Sequence, residues 1–488
     1  VATTIVWFRQ DLRLADQPAL REAARRGRVV PVFIWSPEEE GDWPPGGAAR
    51  WWLHHSLNAL AGELQSLGSR LILRRGPALA ALMAVAQETS ADAVYWCRRY
   101  EPAAIRRDTS AKAALRAAGL AAESFNGSLL REPWEVMQPG RPPITVFTRF
   151  HEAHAALGPP AAPQAAPASL AAPDAWPASE PLASWGLLPR PDWAAGLRAE
   201  WQPGTAGARH RLDEFLASAM SGYAERRDRP GLPATSRLSP HLHWGEISPR
   251  QVWEAVRQWQ APGDGGRRAA EWSFLRELVW REFGFALLYH FPATPIEPLR
   301  PAWTGFPWRD APDELEAWRR GRTGYPIIDA GMRELWATGW MHNRVRMLTA
   351  SFLTKDLLID WRSGARWFWD TLVDADLANN TYGWQWVAGC GSDQAAYPRI
   401  FNPVSQGEKF DPKGDYVRRW IPELAGLPHA YIHRPWTAPA AVLADAGVEL
   451  GVNYPRPIVD HADARRRAVA AWQRLTVPKL ESGQEIES

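Results

Sequence analysis

At 488 residues the chain is too long for one hydrophobic core, and 46% hydrophobic with 23% charged residues excludes a disordered or fibrous protein. The 56 basic and 54 acidic residues leave a net charge of +2, so any affinity for nucleic acid must come from local arginine clusters. Two distant cysteines, Cys97 and Cys390, exclude a disulfide scaffold, an all-cysteine zinc site and a four-thiolate iron–sulfur cluster. No His-Glu-x-x-His pair supports metal catalysis, so the expected metal complement is none. No run of roughly 20 apolar residues reads as a membrane span, and no basic-then-apolar leader is visible, so a soluble, cytoplasmic protein is expected.

Short β-type runs alternate with helical stretches through the first hundred residues. Thr4–Phe8, Val29–Trp35, Arg70–Arg74 and Ala93–Cys97 read as buried parallel strands, with Leu14–Arg25, Arg50–Leu67 and Ala78–Thr89 as crossover helices. This predicts a doubly wound, Rossmann-like parallel-sheet α/β domain over 1–130, with ligands near the C-terminal strand ends. The absence of Gly-x-Gly-x-x-Gly after the first strand argues against a dinucleotide dehydrogenase. A connector over 131–206, Pro/Ala-rich from Gly158 to Arg198, marks the domain boundary. Residues 207–475 carry amphipathic segments broken by Pro and Gly and read as an all-helical domain, followed by a frayed tail over 476–488.

Four segments of the helical region carry chemistry. In the helix Glu271–His290, Trp272, Leu275, Val279 and Phe283 share the expected core stripe, while Phe274, Glu277, Trp280, Arg281 and Gly284 share another arc. The bland reading of that second arc is an exposed Glu277–Arg281 pair four residues apart. In Gly339–Met347, Asn343, Arg346 and Met347 share a face, with Arg344 adjacent. An amide suits a base edge, and guanidinium groups suit phosphates or a carboxylate; a buried polar network is the alternative. In Leu372–Trp386, Asp374 and Asp376 suit a sugar hydroxyl, a heterocycle N–H or Arg346, and Asn380 suits a redox-active ring. Metal binding by the two carboxylates competes with this, without a histidine to help. Ala234–Pro240 sets hydroxyls and backbone N–H groups before a helix start at Ser239-Pro240, a natural pyrophosphate site or a simple cap. Ser248–Gln251 fits a capping box.

Together these segments resemble the DNA photolyase/cryptochrome family, most of all bacterial cyclobutane pyrimidine dimer photolyases, from Ile5–Arg13 to about Leu427. The motifs occur in family order: Thr235-Ser-Arg-Leu-Ser239, Glu277–Phe283, Thr323–Asp329, Trp340–Arg344, Asp374-Ala-Asp376, Gly383-Trp-Gln-Trp386 and Arg399–Pro403. The resemblance implies an α/β antenna domain, a long connector and a C-terminal all-helical FAD-binding domain. It makes Tyr223, Thr235, Ser236, Arg237, Leu238, Ser239, Phe274, Arg281, Arg346, Asp374 and Asp376 flavin contacts. Asn380 falls opposite the flavin N5, where photolyases keep Asn while plant cryptochromes carry Asp and animal ones Cys. Trp384, Trp361 and Trp308 match an electron-transfer chain running from the flavin to the surface.

For substrate, the resemblance aligns Glu277, Asn343 and Met347 with lesion contacts, and Trp280 and Trp386 with rings that embrace a flipped-out dimer. Arg227, Arg344, Arg399 and Gln406 would hold the flanking DNA backbone, with Glu277, Trp280 and Asn343 also touching DNA. Glu277 is expected to hydrogen-bond the thymine carbonyls. The (6-4) enzymes place a His-His pair where this chain has His342-Asn343, which disfavours that class. The implied activity is light-driven dimer splitting by a deoxyribodipyrimidine photo-lyase, a monomer acting on UV-damaged DNA and not on membranes. The alternative is a cryptochrome-like blue-light receptor, which predicts a long C-terminal tail that this chain lacks after about Leu475.

Two departures stand out. Ala396 and Pro398 replace the family's Pro and Phe beside the lesion surface, a change expected to alter the loop. Tyr100-Glu-Pro is followed by Ala103-Ala104 where folate-binding members carry Asn-Glu. The antenna chromophore therefore remains open among a deazaflavin, FMN, a folate held differently, or none.

Overall fold

Successive residues of the first strand enter opposite cores: Val6 and Phe8 on one face of the sheet, Ile5 and Trp7 on the other. Both faces are therefore covered, as an all-parallel sheet requires. The computed structural model describes residues 2–260, 267–393 and 399–476, so the Ala396 and Pro398 departures lie outside the described residues. Five parallel strands, β1 (Ala2–Phe8), β2 (Gly27–Trp35), β3 (Ile72–Arg75), β4 (Ala93–Cys97) and β5 (Ala121–Phe125), lie in the order β3-β2-β1-β4-β5. The order reverses between β1 and β4, the switch point at which ligands bind in such sheets. The crossovers are α1 (Pro18–Arg26), α2 (Gly47–Ser66), α3 (Ala78–Thr89) and α4 (Pro102–Ala117). The sequence reading missed β5, because only Ala122 of its five residues is fully buried and only pairing with β4 defines it.

The Pro/Ala-rich segment is largely irregular yet tied to the sheet domain by backbone hydrogen bonds. Asp16 N donates to Gln164 O at 2.7 Å, Val29 N to Ala171 O at 2.9 Å and Glu180 N to Leu73 O at 2.9 Å. Before it lies α5 (Phe147–Ala156); after it come α6 (Ser239–His243), α7 (Pro249–Gln258), α8 (Arg267–His290), α9 (Asn343–Ser351), α10 (Trp361–Thr371) and α11 (Leu377–Ala388). The expected capping box opens α7, with Ser248 Oγ accepting from Gln251 N at 3.0 Å.

By compactness the chain forms two units. One comprises Val1–Ala293, Glu334–Met341 and Arg366–Tyr382; the other comprises Thr294–Arg333, His342–Ala365 and Gly383–Ser488. Both cysteines are free and buried, Cys97 in the first and Cys390 in the second. Among the described residues no helix is long and apolar enough to cross a membrane, and no three side chains cluster as a metal site.

Candidate functional site

On α8, Glu277 does not pair with Arg281, contrary to the bland helical reading. Its Oε1 accepts from Arg227 Nη1 at 2.5 Å. Arg281 instead donates to Ser128 O at 2.8 Å and lies 3.4 Å from Glu282 Oε1. The longer reach to Arg227 wins because α8 packs against the short helix that carries Arg227 (Tyr223–Arg226 and its C-cap). Burial works against the Arg227 charge, but Glu277 and the Tyr223 ring 5.2 Å away hold its pKa above the ordinary arginine value. A carboxylate paired in this way, when ionised, only accepts hydrogen bonds.

Trp280, three residues beyond Glu277 on α8, is stacked on Phe147 of α5, with ring centroids 3.3 Å apart and planes at 7°. Tyr382 lies on the same ring system at 5.8 Å and 26°. Sequence reasoning named neither partner, because both lie on other helices and no periodicity links them to Trp280. Another expectation fails on the same helix. Leu275, Val279 and Phe283 are buried, but Trp272 is 56% exposed, with His151 of α5 meeting only its edge at 6.4 Å.

The loop Thr235–Ser239 is held by Arg237, whose φ of +52° is a strained left-handed conformation for a non-glycine residue. Its guanidinium lies between Trp201 and Trp340, 4.8 and 4.4 Å from their centroids, and donates to Glu200 Oε1 at 2.5 Å. Arg237 thus shapes the loop from behind, leaving Thr235, Ser236 and Ser239 accessible while Leu238 is buried. Helix α6 begins at Ser239, as expected, and no side chain caps its first N–H groups. Pro240 has no N–H to offer and Leu242 N donates to Leu238 O at 2.9 Å, so few backbone donors stay open at this short turn.

Nearby in the same unit, Tyr223 meets Phe274 edge-on at 5.2 Å. Asp374 and Asp376 are both buried. Burial raises the Asp376 pKa, but His243, Arg281 and the Asn379 N–H together outweigh it and hold the carboxyl below its ordinary value. Asp376 Oδ1 accepts from Asn379 N at 2.8 Å, while Oδ2 stays 3.8 Å from His243 Nδ1, too far for a hydrogen bond. A carboxylate with one oxygen placed for a further donor suits an N–H or hydroxyl of the cofactor. Asn380 is half-buried on α11, which begins just after Asp376. Gly284, expected on the functional arc of α8, supports this segment: a Cβ there would lie 3.2 Å from Asn379 Oδ1.

The second unit carries the other assigned residues. Helix α9 starts at Asn343 and holds Arg344, Arg346 and Met347; the His342 Nδ1 accepts from Arg344 N at 3.2 Å as its cap. Arg344 stacks over Phe410 at 4.4 Å, and Arg399 over Trp386 at 5.1 Å. Gln406 lies on the helix Pro403–Phe410. Gln385, between Trp384 and Trp386, is structural: it donates to Thr294 O and Glu297 O, both at 2.7 Å, and accepts from Leu299 N at 2.9 Å.

Of the three tryptophans expected to carry electrons, two are buried here and one reaches the surface. Trp384 is 2% and Trp361 1% exposed, while Trp308 is half-buried. A Cβ on Gly364 of α10 would fall 2.0 Å from the Trp384 ring, so this glycine lets the Trp361 helix close on that indole. Arg309 N donates to Leu358 O at 2.7 Å, bringing the segment of Trp308 against the approach to Trp361. Trp318, unforeseen from sequence, meets Trp384 edge-on at 6.2 Å.

A pocket opens at the C-terminal edge of the sheet, lined by Trp7, Arg9, Trp35, Glu40, Trp43 and Arg107 among others, with an empty volume of about 630 Å³ that includes its open mouth. Its arginines are already matched: Arg9 with Asp108 at 2.6 Å, Arg99 with Glu40 at 2.8 Å and Arg107 with Glu40 at 3.1 Å.

Comparison with known proteins gives the family of the chain. Residues 4–168 match the family model described as DNA photolyase, and 274–474 that of the FAD binding domain of DNA photolyase. A deoxyribodipyrimidine photo-lyase of Agrobacterium fabrum is 51% identical over 96% of this chain and 98% of its own. A bacterial class III photolyase from Agrobacterium tumefaciens superposes with a TM-score of 0.93 at 50% identity, covering 98% of each chain. Cryptochrome-1 of Arabidopsis thaliana is 42% identical over 99% of this chain and 72% of its own. The fold and these matches therefore define a flavoprotein built on an α/β domain and a helical FAD-binding domain. The chain belongs to the DNA photolyase/cryptochrome family.

Proposed function

We propose that the chain is a light-driven lyase that splits cyclobutane pyrimidine dimers in DNA, the activity of a deoxyribodipyrimidine photo-lyase. The observation that carries this reading is the Arg227–Glu277 pair at 2.5 Å beside an indole, Trp280, immobilised by Phe147. Reduced FAD, when bound, would supply on absorbing light an electron that opens the dimer and then returns to the flavin, so the cleavage has no net redox change. Glu277 accepts the thymine N–H and Arg227 takes a neighbouring phosphate. Trp280 stacks on the extruded base through the part of its surface that Phe147 leaves open. Asn343 and Met347 complete the lesion contacts, with Trp386 as the second ring; Arg344, Arg399 and Gln406 hold the backbone. Trp384, Trp361 and Trp308 return electrons to the flavin from the surface.

In this reading, 1–130 is the antenna domain, 131–206 the connector and 207–475 the FAD-binding domain. The pocket at the sheet edge suits a planar chromophore of low charge, because its arginines are already neutralised by acids while its indoles offer stacking faces. The 42% identity to a cryptochrome favours a second reading, a blue-light receptor that binds FAD without efficient repair.

One experiment separates the two. An oligonucleotide bearing a single thymine dimer is incubated with flavin-reduced protein, and the recovery of thymine ultraviolet absorbance is followed under blue light and in darkness. Light-dependent recovery is the expected result. No recovery with flavin bound and reduced overturns the repair reading and leaves the receptor.

A further inference from the structure

The exposed Trp272 belongs to a pattern that the lesion site does not use. Steps of four residues along α8 set Arg268, Trp272, Arg276 and Trp280 along one side of the helix, drifting by about 40° per step over about 18 Å. Cation and indole alternate along this row. The Arg276 guanidinium sits between two rings, 5.1 Å from the Trp272 centroid and 5.5 Å from that of Phe147. Phe147 is itself the ring stacked on Trp280, and His151 meets Trp272 edge-on at 6.4 Å. Arg149 and Arg268 are exposed on α5 and α8. Among the described residues, the acids near the row are Glu152, next to His151; Glu271, paired with Arg257; and Glu277, paired with Arg227. An indole left 56% exposed between arginines serves no core, and a row of like charges opposes folding rather than aiding it.

We infer that this row is a stacking track for unpaired nucleotides of the damaged strand on one flank of the dimer. A base stacks on Trp272, and phosphates pair with Arg268 and Arg276. Stacking reads no sequence, and alternating rings and cations follow a single strand as bases and phosphates alternate along it. The inference rests on the DNA-repair reading, because the row begins at Trp280. It adds a preference: the strand needs unpaired bases beside the lesion to use the track.

The test compares FAD-loaded wild type with Trp272→Ala, Trp272→Phe and Arg276→Gln. The probe is one dimer-bearing oligonucleotide, single-stranded and annealed. Trp272→Ala is expected to weaken single-strand binding about fivefold or more, to weaken duplex binding less, and to be largely rescued by Trp272→Phe. Arg276→Gln should flatten the salt dependence of single-strand binding by about 0.7 in log–log slope. Repair under light at saturating protein should be unchanged in all three variants. If wild type repairs the dimer while Trp272→Ala and Arg276→Gln bind the single strand with wild-type affinity and slope, the track is overturned and the repair reading stands. If wild type neither binds nor repairs the lesion, both fall.

Discussion

The Arg227 guanidinium and the Glu277 carboxylate meet at 2.5 Å, each less than one-third exposed. Two residues expected to serve phosphate and lesion separately are therefore one electrostatic unit, and changing either alters the other. Glu277→Gln keeps the shape and removes the charge. Dimer repair per absorbed photon should fall by about tenfold, the worth of one charged hydrogen bond. Arg227, released from its partner, should at the same time steepen the salt dependence of duplex binding by about 0.9. Repair assays and a salt titration of the same variant check both directions.

The tryptophan series makes a prediction that separates photoreduction from repair. Trp308→Phe should slow light-driven reduction of the bound flavin at least tenfold while leaving repair by chemically reduced protein intact. Gly364→Ala places a methyl group against the Trp384 ring. It should lower stability by about 1–3 kcal/mol through overpacking and also impair photoreduction. Absorption transients and thermal melts record the two effects.

Glu282 gives the fold a pH dependence. Burial pushes its carboxyl up to about 7 against an ordinary 4.5, although Arg281 and the Arg131 N–H at 3.1 Å oppose the shift. Between these values the folded chain holds a proton that the unfolded chain has lost, so this group's contribution to stability falls as pH rises from 4.5 to 7. Above pH 7 the penalty is complete, on the order of 3 kcal/mol. Glu282→Gln should therefore melt higher than wild type at about pH 8 and much closer to it at about pH 4.5. Equal gains at both pH values would argue against the assignment.

Arg237 should matter to flavin retention through the loop that it holds. Arg237→Ala keeps the strained left-handed backbone but removes the Glu200 pair and both indole contacts. The loop that presents Thr235, Ser236 and Ser239 then loosens. Flavin should dissociate about tenfold faster on dilution, as read by the recovery of free-flavin fluorescence.

Much of this architecture follows from the sequence alone. Four of the strands and α3 are legible because β-branched runs and alanine-rich helices alternate at lengths that only a doubly wound sheet accommodates. The helix starts at Ser239 and after Ser248 are legible because serine followed by proline is a local signal that needs no distant partner. The flavin-site motifs are ordered along the chain, so they too can be read without coordinates. What depends on distant partners could not be read. Periodicity placed Trp272 in the core, and only packing shows that it stays 56% exposed. Spacing on one helix suggested Glu277–Arg281, yet the tertiary fold supplies Arg227, fifty residues away, at hydrogen-bond distance. Strand β5, the Phe147–Trp280 stack and the fit of Gly364 against Trp384 likewise exist only once remote segments meet. Local propensity is written residue by residue, whereas the partner of a charge or a ring is chosen by the fold.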